Sequence, residues 1–138
     1  MINMNIVKVF KDSVSSLLNN SEQEVSEKLI QLATFFYKVD RRVSLEEQKY
    51  MDDLLETIEW NSPIDADYYQ RTCISEINNL LDRSEDQIYA YLSKLMLDLS
   101  DLGAAEKAKI LAKEISDSDG EIADDEVRYL EYILSFSQ

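Results

Sequence analysis

The stretch I115-SDSDGEIADDEVRYLEYI-L134 contains both a stop and a start. Ile115 closes one apolar stripe, and Val127, Leu130, Ile133 and Leu134 open another at helical spacing. Between them lie Asp117, Asp119, Gly120 and a run of first-turn acids, Asp124 to Glu126. Acids in a first turn complement the helix dipole, and a glycine supplies a positive φ where a turn needs one. The reading is helix, acidic turn, helix.

The same pattern stands 79 residues earlier, in Y37-KVDRRVSLEEQKYMDDL-L55. Glu27, Lys28, Leu32 and Ala33 fall on Glu106, Lys107, Leu111 and Ala112. Asp40, Glu47, Tyr50 and Leu55 fall on Asp119, Glu126, Tyr129 and Leu134. Val43 matches Ile122 and Leu54 matches Ile133, all without a gap. Chance in an acid-rich chain accounts for some acidic matches, but the apolar and tyrosine matches at one offset point to an internal duplication. The repeat units span about 27–55 and 106–134.

Working outward, seven segments carry helical periodicity. The first runs through Val7, Phe10, Val14, Leu17 and Leu18, and the second through Val25, Leu29, Leu32 and Phe36. Ser21 with Glu24, Ser44 with Glu47, and Ser84 with Gln87 have the spacing of capping boxes. The third helix ends at Asn61, Ser62 and Pro63. Gly103 closes the fifth in the left-handed conformation. The chain has two glycines and one proline, too few for the many turns of a sandwich or barrel. The expected fold is all-α, a single domain over residues 1–138, built as a compact bundle of about seven short helices with pseudo-twofold symmetry.

Composition narrows the function classes. A net charge of −14 repels phosphate backbones and anionic membrane surfaces and attracts cations and basic partners. With no histidine, the familiar zinc sites and Ser-His or Cys-His nucleophile pairs are excluded. Cys73 is the only cysteine, so no internal disulfide forms. No apolar run reaches the roughly 20 residues of a membrane span, and Met1 to Asn20 lacks a signal peptide's features. A cytoplasmic, non-enzymatic protein is the expectation.

The acidic turn has the look of a calcium loop. With Gly120 at position six, Asp117, Asp119 and Glu126 fall at positions three, five and twelve, but position one is the apolar Ile115. In the first copy Lys38 and Arg41 replace a ligand and the glycine. A full EF-hand is therefore rejected. What remains is a smaller oxygen set, Asp40 with Glu47 and Asp119 with Glu126, helped by Asp117. Such oxygens suit a hard divalent cation, calcium or magnesium, held weakly. Against this stands a plain structural reading, in which Glu47 caps Ser44 and the acids merely favour a helix start. Ala123, a poor N-cap, leaves Glu126 less well explained that way.

The two quoted stretches resemble the two halves of a TerB-like domain, the family of tellurite-resistance protein B and the N-terminal domain of a DnaJ-like co-chaperone. Its motif is an alanine-rich helix, Asp-Gly, a residue, an aliphatic, a few residues, Glu, then an amphipathic helix. Asp119, Gly120, Ile122 and Glu126 match it, whereas the first copy has Arg41 for glycine. The resemblance implies an all-α, internally symmetric, stress-associated module that binds metal or works in membrane-associated assemblies through other proteins. The alternative is an acidic protein-interaction module, or a nucleic-acid charge mimic, binding a basic partner without metal. Neither reading calls for direct nucleic-acid binding or membrane insertion.

Overall fold

The computed structural model describes residues 22–39, 45–117 and 124–136. They form six α-helices and, among the described residues, no strand. These are α1 (22–38), α2 (Leu45–Thr57), α3 (Ala66–Leu81), α4 (Glu85–Asp101), α5 (Ala105–Asp117) and α6 (Asp124–Leu134). They correspond to the second through seventh periodic segments; the first, Val7 to Leu18, lies outside the described residues, as do Ser21 and Ser44 of two expected caps. No helix is long and apolar enough to cross a membrane among the described residues.

Local signals set several ends. Ser84 caps α4 with a complete capping box: its hydroxyl accepts from the Gln87 backbone N–H, and the Gln87 side chain accepts from the Ser84 N–H. Ser84→Ala is expected to cost about 1 kcal/mol of stability, measurable by urea denaturation. The other end of α4 is a Schellman turn. Gly103 sits at φ +75°, its N–H donating to the Ser100 carbonyl at 2.9 Å, while the Ala104 N–H reaches the Leu99 carbonyl at 2.7 Å. Ala104 and Leu99 are both buried, which supplies the apolar contact that accompanies such turns.

α2 stops at Thr57, earlier than Asn61 to Pro63. The chain beyond it is captured by α1. The Ser26 hydroxyl donates to the Glu59 carbonyl at 2.5 Å, and the Asn61 N–H donates to the Gln23 side chain at 2.6 Å. The Trp60 indole closes the turn onto the Ile64 carbonyl at 2.6 Å. These tertiary bonds replace helical ones before proline acts.

The core gathers around α1, α4 and α5. α5 packs on α6, α4 and α2, and α4 packs also on α3 and α6. α1 differs from its expected single stripe. Leu29, Ile30, Leu32, Ala33, Thr34, Phe35 and Phe36 are all buried, so this helix is enclosed on nearly every side. The Thr34 hydroxyl, fully buried within it, is satisfied by the Ile30 carbonyl at 2.6 Å. Phe35 stacks edge-on against both Phe36 and Tyr129, tying α1 to α6.

Candidate functional site

The expected oxygen ligands lie in or beside the segments 40–44, between α1 and α2, and 118–123, between α5 and α6. Asp40 and Asp119 lie outside the described residues, as does Gly120. The others are placed. Glu47 is the third residue of α2 and Glu126 the third residue of α6, and each is only 2% exposed. Both residues interact with other groups. A first-turn acid normally faces water, so matching burial at both positions goes beyond what a dipole or a cap requires.

Asp117, the last residue of α5, is exposed. The side chain before it is not. Ser116 is 1% exposed, and its Oγ has no hydrogen-bond partner among the described residues. Ile115 is fully buried in the core, as its place in the apolar stripe demanded. The second turn is therefore bordered by a buried hydroxyl, an exposed carboxylate and a buried carboxylate, all oxygen donors of the type hard cations take. Ser116 was missed in the sequence because a serine beside acids carries no pattern of its own. Among the described residues, no three His, Cys, Asp or Glu side chains come together as a metal-holding group.

Arg128 stands two residues beyond Glu126 in α6. Its guanidinium donates to Glu85 at 2.6 Å and to Asp125 at 2.5 Å. Those two carboxylates keep the arginine charge occupied at the surface. The repeated tyrosines do different work. The Tyr50 hydroxyl donates to Glu114 at 2.9 Å and braces α2 on α5, whereas Tyr129 is buried against Phe35 and Tyr89.

Charged groups gather elsewhere too. Lys28 of α1 pairs with Asp98 of α4 at 3.4 Å, and the Gln31 side chain accepts from the Tyr91 hydroxyl at 3.5 Å. Rising numbers on α1 thus meet falling numbers on α4, so the two helices run antiparallel. Between them lies a groove made of two adjoining hollows of about 460 and 240 Å³, which share Lys28, Gln31 and Asp98. Lys94 also bonds Asp98, at 3.1 Å. These lysines, Lys94 first, hold the Asp98 carboxyl below its usual range. Near Trp60, Glu59 raises Glu22 above the usual carboxylate range, through a shared hydrogen bond first and repulsion second.

No family model, curated protein or solved structure matches the chain.

Proposed function

We propose that this protein is a non-enzymatic, stress-associated TerB-like module whose acidic helix-turn-helix units bind a divalent cation, the second turn better than the first. The observation that carries this is the shared burial of Glu47 and Glu126, 79 residues apart and each third in its helix. The spacing of the helix ends supports a duplication in the same way. α1 ends at residue 38 and α5 at Asp117, while α2 begins at Leu45 and α6 at Asp124. Leu32 and Leu111, Ala33 and Ala112, Phe36 and Ile115, and Met51 and Leu130 are buried pairs at that offset.

The second turn is favoured because it adds Ser116 Oγ and Asp117, and because Arg128 is engaged by Glu85 and Asp125. Among the described residues the buried Ser116 hydroxyl has no partner, and leaving such a group unpaired costs about 1–3 kcal/mol, so a bound cation or its water would be stabilised there. Isothermal calorimetry tests this. Millimolar calcium, magnesium or manganese should give a weak isotherm, with a dissociation constant of about 10⁻⁴–10⁻³ M. Glu126→Gln should abolish it while the helix content stays unchanged. No heat from the wild type sinks the cation reading.

A second reading has its own support. The α1–α4 groove carries five carboxylates, Glu24, Glu27, Glu76, Asp98 and Asp101, against two lysines. That excess favours an acidic module that receives a basic partner, and it needs no metal.

A further inference from the structure

We infer that the α1–α4 groove docks a short, extended, lysine- or arginine-bearing segment of a partner protein. The inference rests on the acidic-interaction reading and gives it a place. Lys28 and Lys94 both turn onto Asp98, so the two basic side chains and one carboxylate answer one another within the groove. Glu24, Glu27 and Asp101 remain around one hollow and Glu76 beside the other. Glu27 accepts a hydrogen bond from the Gln23 amide at 3.1 Å, but that donor is neutral and leaves the charge in place. Carboxylates thus stand toward both ends of the groove, with the Lys28–Asp98–Lys94 cluster between them.

The groove also offers apolar surface. Leu95, Leu102 and the Tyr91 ring contribute to its walls. Lysine and arginine lay aliphatic stems on such surface while their charged ends reach carboxylates, which a compact inorganic cation does not do. From Tyr91 to Leu102 the face of α4 runs about 16 Å, the length of about five residues of extended chain. Alternate side chains of that segment would point into the groove. Charge sets the identity of the occupant. A nucleic acid is repelled, and a second copy of this chain would bring another net −14.

The test uses a fluorescent heptapeptide alternating lysine with alanine, titrated with the full chain by anisotropy at low salt. Two triple variants remove the same charge in different places. Glu24→Gln/Glu27→Gln/Asp101→Asn strips the groove, and Asp53→Asn/Glu56→Gln/Asp67→Asn strips exposed positions of α2 and α3. The groove triple should weaken binding about tenfold, the scale of a few partly exposed ion pairs lost together, and the control triple should do much less. Binding should also fall steeply between about 50 and about 300 mM salt, since screening shortens with ionic strength. Backbone amide shifts in the wild-type chain should map to Gln31, Tyr91 and Leu102. Equal weakening by the two triples, or shifts spread over other faces, would overturn the groove and leave the acidic reading standing. No peptide binding at low salt would overturn both.

Discussion

Phe35→Ala should destabilise the protein by about 3–5 kcal/mol, read from the shift of a urea unfolding curve. The side chain is fully buried, and alanine cannot fill its volume. It also meets two rings edge-on, Phe36 at 5.2 Å and Tyr129 at 5.4 Å between centroids. Such pairs add to simple area burial, so the cavity removes specific contacts as well as apolar transfer. One of the two rings belongs to α1 itself, but the other sits on α6, three residues after Glu126. The loss therefore loosens the seam that holds the second acidic turn's helix against the centre of the bundle. Against domains whose total stability is typically about 5–15 kcal/mol, this is a large fraction. Ile110→Ala is the natural comparison, because Ile110 is an exposed side chain on α5 and should change stability by no more than about 0.5 kcal/mol. A Phe35→Ala loss below about 1 kcal/mol would contradict the enclosed position of α1.

That enclosed position was only half visible in the sequence. Val25, Leu29, Leu32 and Phe36 form a readable stripe, but Ile30, Thr34 and Phe35 lie off it. Whether off-stripe residues face water depends on which helices arrive from elsewhere in the chain, and periodicity within one segment carries no record of that. Ser84 and Gly103 were legible because their signals are local. A serine three residues before a glutamine, and a glycine after the last apolar position, do their work on the nearest backbone groups. The early end of α2 was not legible, since Ser26 and Gln23 reach it from α1. The candidate site divides the same way. Glu47 and Glu126 stood out by recurrence, whereas their burial, and the Ser116 hydroxyl that finds no partner among the described residues, emerge only from packing. The groove was invisible for a stronger reason: Lys28 and Asp98 belong to helices far apart in the chain, and nothing in either segment names the other.

Cys73 should resist thiol reagents in the folded protein and react freely once it unfolds. The side chain is 2% exposed, in the middle of α3. Burial, and next the charge of Glu76, push its thiol up to about 12 from an ordinary value of 9.0. Only the thiolate is the nucleophile, so at neutral pH the reactive fraction falls about a thousandfold, before steric shielding is counted. Iodoacetamide labelling followed by mass spectrometry should therefore proceed at the rate at which the chain opens, and should accelerate with urea in step with loss of helix. The same shift has a sign in pH. The native thiol keeps a proton that the unfolded chain releases near pH 9, so folded stability is intact below that value and falls as pH rises toward 12. Burial moves the hydroxyls of Tyr50, Tyr69 and Tyr91 upward as well, and they add to the alkaline loss with the same sign. Cys73→Ser should remove the thiol's share of that loss and leave the tyrosine share in place. Labelling of the native protein at the rate of a free thiol in neutral buffer would show that α3 does not hold Cys73 against the core.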